Sequence, residues 1–219
     1  MPSDRPAGSD DVCVLGAASP LGAAIVRGLL AENYAVTGFD CETSGIEDIP
    51  DARYKRITAD WTQWPDQLSE QSAAYGLVVL PHVRSARPFL ALDMDEWRSQ
   101  FERNVRLPLL ALRSVLPGMQ ARKAGSVVLF SSIGARTGLA GNAASAASLG
   151  GLLGLARSAA LEVARDNVRI NVISPEHSDL VDVTGDVDGL AEAVSFLLAR
   201  DNAYLTGQDL RISAARTMF

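Results

Sequence analysis

Positive charge is scarce and scattered in this sequence. The chain has 219 residues and a formal net charge of −6, and Lys and Arg nowhere form a block. Binding a nucleic-acid backbone takes clustered cations, so a nucleic-acid partner is not expected. Cysteine is rarer still. Cys13 lies in an apolar run, Cys41 follows another, and neither has metal-ligand spacing. That argues against a disulfide framework or a metal site and predicts two reduced thiols in a cytoplasmic protein. Histidine occurs twice, at His82 and His177. Long apolar runs are absent as well: none has the length of a membrane span, so no membrane partner is expected, and the opening MPSDRPAGSD does not read as a signal peptide. No repeat and no low-complexity linker divides the chain. One domain over residues 11–219 is expected, behind a disordered lead-in of residues 1–10.

What is present is a run of buried-strand and helix patterns, in a chain that is 47% hydrophobic. Gly125 to Pro175 organises the rest. Ser126–Phe130 is apolar and ends in Ser131-Ser132, a Gly-rich loop and a long Ala/Gly/Leu helix follow, and Val168–Ile173 is a second β-branched run. Strand, loop, helix and strand make a βαβ unit with a buried parallel pair. Asp11–Leu15 is the first strand, then the turn GAASPLG, a helix over Leu21–Ala31, and a strand over Tyr34–Phe39 closed by Asp40. That layout suits a dinucleotide: the helix start holds a pyrophosphate and the acid takes the ribose 2′-OH. Gly16, Ser19, Gly22 and Asp40 are the candidate cofactor residues. The acid favours NAD over NADP. GAASPLG also reads simply as a tight strand-to-helix turn. Further strands are expected over Arg53–Thr58 and Tyr75–Leu80, a helix over Asp95–Gly118 broken by Pro108 and Pro117, and a last helix over Leu190–Ala199. Asp60 suits a helix cap near Thr62.

These segments resemble the short-chain dehydrogenase/reductase family over residues 11–212, most specifically in WRSQFERNVRLPLLALRSVLPGM, in the βαβ unit and in LTGQDLRI. The resemblance implies an α/β fold: a Rossmann-type doubly wound sheet of about seven parallel strands with helices on both faces. It places Asp60 at the adenine amino group, Ser132 at the catalytic Ser and Asn104 at the catalytic Asn. The family's Tyr follows that Ser by thirteen residues, and its Lys by four more; here those positions are Ser145 and Leu149. Other family features differ too. Pro20 replaces the middle glycine of the turn, and Val79-Leu80-Pro81-His82 replaces Asn-Asn-Ala-Gly. After Pro175 the chain runs Glu176-His177-Ser178-Asp179 and is helical by Leu190, so the substrate lid is largely deleted.

The expectation is a catalytically inactive, oxidoreductase-like subunit that assembles with an active paralogue and stabilises it in a hetero-oligomer. The resemblance puts interfaces, hetero- or homo-oligomeric, on the helix over residues 143–165 and on the C-terminal strand. Small residues such as Ala147, Gly151 and Gly154 allow close helix contact there. Two alternatives stand beside it: an NAD-binding or ligand-binding protein, and an enzyme whose chemistry has moved to His82, His177, Ser132 and Glu176. Arg84 and Arg87 suit either an anionic ligand or a solvated loop.

Overall fold

The computed structural model describes residues 10–41, 49–71, 73–80, 87–175 and 187–213. Seven parallel strands form one sheet in the order β3-β2-β1-β4-β5-β6-β7. They are β1 (Asp11–Leu15), β2 (Ala35–Asp40), β3 (Tyr54–Thr58), β4 (Gly76–Val79), β5 (Gly125–Phe130), β6 (Val168–Pro175) and β7 (Asp209–Ile212). Every residue of β4, β5 and β6 is buried, as expected of strands covered on both faces.

The two-residue period of the strands sorts their side chains between two cores. Val12, Val14, Val78 and Val128 pack with Leu21, Ile25 and Leu29 of α1 (Pro20–Ala31) and Val194 and Leu197 of α7 (Val187–Leu198). Cys13, Leu15, Leu77, Val127 and Leu129 face the other side. There they meet Leu68 of α2 (Trp64–Ser69), Leu112 and Met119 of α4 (Leu107–Ala121), and Leu152 and Val163 of α6 (Ala143–Val163). Each fully buried aliphatic side chain contributes roughly 1.5–3 kcal/mol, so both helical layers are held chiefly by this packing.

Helix α6, with the turn after it, is long and apolar enough to cross a bilayer by length and composition, contrary to the sequence expectation. Its Ala144, Leu152, Ala156 and Ala160 are buried against the sheet, so here it is a core helix.

The helix over residues 94–121 is interrupted just ahead of Pro108 and runs on unbroken through Pro117. α3 (Met94–Phe101) runs into a π-turn over Glu102–Arg106 and then into α4. Pro108 sits in the first turn of α4 directly after the π-turn, where its missing N–H leaves the Asn104 carbonyl without an i+4 donor, and Pro117 lies inside α4 without ending it. The break falls around Asn104.

At the N-terminal end of the strands, three side chains hold the last carbonyls of α7. Tyr75 donates to Leu198 O at 3.0 Å and Ser126 to Leu197 O at 2.8 Å. Arg169, buried at the start of β6, donates to Leu197 O at 2.7 Å and Ala199 O at 2.9 Å. Helix ends leave such carbonyls unpaired, and a cation there also opposes the helix dipole. Asp10, just ahead of β1, is buried and pairs with Arg200 at 2.6 Å. The Arg200 guanidinium lies 4.4 Å above the Tyr75 ring.

Candidate functional site

Strand order fixes where a ligand would lie. The chain leaves β3 at one edge and re-enters beside β1 as β4, so a crevice opens beyond the C-terminal ends of β1 and β4. Gly16 follows β1 with φ +88°, a conformation that favours glycine, and a Cβ there would stand 3.1 Å from Leu80 Cβ. Gly22 is more constrained still: a Cβ would lie 2.2 Å from Gly16 O. Ser19 caps α1, accepting from Gly22 N–H at 3.0 Å and donating to Gly16 O at 2.9 Å. Pro20 opens the helix without an N–H to give. No acceptor for the Leu21 N–H is found among the described residues.

Asp40 ends β2 as expected, but its carboxylate faces the turn. Oδ2 accepts from Ala18 N–H at 2.5 Å and Oδ1 from Cys41 N–H at 2.8 Å. The residue is only 5% exposed. These two bonds fix the acid's orientation, and each oxygen keeps a further lone pair for a hydroxyl. Asp60 is exposed and caps the short 3₁₀ turn over Trp61–Gln63. It accepts from the Thr62 hydroxyl at 2.6 Å and the Thr62 N–H at 2.9 Å, which holds its carboxyl below the usual range. The capping role read from the sequence is therefore present. Cys41 lies alongside: burial pushes its thiol up, while the Trp61 N–H hydrogen bond acts the other way. The Arg103 guanidinium sits 5.7 Å from the Trp61 ring centroid. Cys41, Asp60, Trp61 and Arg103 thus gather beyond the ends of β2 and β3.

The other end of the crevice is built differently. Ser132 is buried, and its Oγ accepts from Gly134 N–H at 3.1 Å. Ser145, in the first turn of α6, donates inward to Gln100 Oε1 at 3.2 Å. Asn104 Nδ2 donates to the same Gln100 oxygen at 2.9 Å and to Ser148 Oγ at 3.1 Å. All four side chains are buried, and Gln100 Nε2 and Asn104 Oδ1 have no partner among the described residues. Asn104 thus ties the π-turn to α6 rather than merely easing helix packing, and Gln100, which sequence reading missed, is the hub. Leu149 packs in the apolar core among α4, α6 and the sheet. The gap beneath Asn104, lined by Leu80, Phe130 and Leu152, is too narrow for a water molecule.

A further tie was invisible in the sequence. Asp209, at the start of β7, accepts from Ser174 Oγ at 2.5 Å and pairs with Arg136 of α5 (Gly134–Thr137) at 2.7 Å. It anchors the loop after Ser132 to the edge of the sheet.

The structure brings Ser132, Ser145, Asn104 and Leu149 to one end of the crevice and Gly16, Ser19, Gly22, Asp40 and Asp60 to the other. His82, His177, Glu176 and Arg84 lie outside the described residues. Arg87 pairs with Glu96 at 2.7 Å, and its backbone N–H donates to Gly141 O at 2.7 Å. For a dinucleotide, the residues present fit the adenosine diphosphate half: the glycine turn is formed, a helix-start N–H is open and Asp40 is pre-oriented. The described residues at the Ser132 end do not fit the nicotinamide half. The Ser145 hydroxyl is spent inside the helix layer, and Leu149 has no hydrogen-bonding group.

A model of the family described as short chain dehydrogenase matches residues 10–182. Among curated proteins, the chain is 29% identical to an acetoacetyl-CoA reductase of Synechocystis, covering 93% of this chain and 95% of that protein. It is 26% identical to a 2,3-dihydroxy-2,3-dihydro-p-cumate dehydrogenase of Pseudomonas putida, over 94% and 93%. Among solved structures, an oxidoreductase from Burkholderia thailandensis superposes with a TM-score of 0.84 at 23% identity, covering 93% of this chain and 91% of that one. At that identity the likeness speaks for the fold alone.

Proposed function

The chain belongs to the short chain dehydrogenase family, and from that premise we propose that it is a catalytically inactive member that assembles with an active paralogue and stabilises it. The observation that carries this reading is the state of the two positions where the family resemblance places Tyr and Lys. Ser145 gives its hydroxyl to Gln100, and Leu149 is core. A reductase needs a positioned acid at the carbonyl and a group that tunes its acidity, and one such acid is worth roughly 10²–10⁴ in rate. Neither position supplies one. The relatives' named reactions are therefore not carried over to this chain.

The surfaces that assembly would use are intact. On the outer face of α6, Ala147, Gly151 and Gly154 are exposed, and Leu161 is 82% exposed. Leu109 of α4 is exposed nearby in the same helical layer. β7 is an edge strand of the sheet.

Native mass spectrometry of the protein recovered from its own host tests the proposal. The expected result is a stoichiometric second subunit of similar mass carrying the Tyr and Lys that this chain lacks. A homo-oligomer alone, with no second subunit, overturns it.

A further inference from the structure

We infer that a cavity at the N-terminal end of the sheet, the end away from the crevice, binds a phosphate group. The inference does not depend on the assembly reading. Three turns meet at this cavity: the one after α4, with Lys123; the one after α6, with Asn167; and the one after α7, with Arg200. With Arg169 at the start of β6 they enclose about 230 Å³. Pockets for drug-sized ligands begin at roughly 300 Å³, so this one suits a smaller group. The charged residues that line it are Lys123, Arg169 and Arg200, all of them cations, in a chain of net charge −6.

Arg169 carries the argument. It is only 5% exposed, and a buried charge is normally paired with an opposite one. Its partners are the neutral carbonyls of Leu197, Leu198 and Ala199. No carboxylate pairs with it or with Lys123 among the described residues. Asp10 offsets the charge of Arg200 alone. The carbonyl ends of α4 and α7 bring partial negative charge, about half a unit each. Those carbonyls are already engaged. Gly118 O, Met119 O and Gln120 O accept from the N–H groups of Arg122, Ala124 and Lys123, and the closing carbonyls of α7 accept from Tyr75, Ser126 and Arg169. Positive charge is left over around the cavity. A phosphate dianion supplies the missing counter-charge, accepting charge-assisted hydrogen bonds from Lys123 and Arg200 beside the Arg169 guanidinium. Because these residues also hold the end of α7, a bound anion stabilises the fold.

Isothermal titration calorimetry and melting curves of the full chain with inorganic phosphate test this, against sodium chloride at equal ionic strength. Phosphate should give saturable heat and raise the melting temperature where chloride does not. Lys123 is exposed, so its variants should fold, which their melting curves check. Lys123→Gln should weaken phosphate about tenfold, the worth of one hydrogen bond to a charged group, and Lys123→Glu should weaken it further. Glycerol 3-phosphate is titrated alongside. Tighter binding than phosphate assigns the cavity to an organic phosphate, and equal or weaker binding assigns it to the free ion. The inference fails if phosphate does no more than chloride up to about 20 mM, a level at which even millimolar affinity would register. It fails equally if both Lys123 variants respond to phosphate as the unaltered chain does. The anion would then sit elsewhere, or act only as an excluded salt. None of these outcomes bears on whether a second subunit is present.

Discussion

The two ends of the parallel sheet use the same kinds of polar side chain to opposite effect. At the N-terminal end, Tyr75, Ser126 and Arg169 all reach the closing carbonyls of α7, and Asp10 meets Arg200. These groups replace water that the buried helix end cannot reach, so they hold the fold. At the C-terminal end, Gln100 Nε2 and Asn104 Oδ1 are buried, and neither they nor the Leu21 N–H finds a partner among the described residues. A buried polar atom left unmet costs roughly 1–3 kcal/mol. The molecule carries that cost beside the crevice at the strands' carboxyl ends. The contrast separates residues kept for stability from residues inherited with a site.

Matched substitutions at the two ends should break or sharpen that contrast. Arg169→Met keeps the length of the side chain and strips its donors, leaving Leu197 O and Ala199 O poorly met. It should cost about 3 kcal/mol, read as a lower urea midpoint at unchanged m-value. A loss below about 1 kcal/mol would mean that α7 is not capped in this way. Ser19→Ala, at the crevice end, removes the cap of α1 and should cost about 1 kcal/mol in the same measurement. Gln100→Met is the partner experiment to Arg169→Met. It deletes a hub that is itself half unsatisfied, so the change should stay within about 1 kcal/mol of zero. If Gln100→Met proves as costly as Arg169→Met, the two ends are equally structural and the distinction falls.

The sheet was legible because its strands are apolar runs punctuated by Gly, Pro and Asp. Asp11–Leu15 and Val168–Ile173 were placed to within a residue or two of their observed ends. The helix bounded by Asp95 and Gly118 was legible in extent but not in form. Pro108 marks the neighbourhood of the break, whereas the tie of the π-turn to α6 through Asn104 and Ser148 joins residues distant in sequence. The same holds for the site. Asp40 was marked by its place at the end of a strand, but nothing local shows that its oxygens face the turn amides. Gln100 gave no signal at all: its partner Ser145 lies 45 residues away, and a lone Gln on a mixed helix face reads as solvent-facing. Arg169 looked like an ordinary strand residue, because the helix end it caps arrives only with the fold.

The π-turn over Glu102–Arg106 also sets what changes in length the chain can absorb. A π-turn holds one residue more than the α-helix needs. That surplus turns everything after it by about 100° around the helix axis. The layer therefore carries two phases of one apolar stripe. Trp97 and Phe101, with rings 4.8 Å apart, belong to the first, and Leu107, Ala111 and Val115 to the second. Deleting a single residue between 102 and 106 would merge the phases into one regular helix. It would also swing Gln100 away from Ser145 or Leu112 away from the sheet, because one helix cannot serve both registers. A deletion of the same size in a surface connection would cost the packing far less. In the vocabulary of insertions and deletions, this turn is a frame marker, and shifting it rewrites the layer on one side or the other.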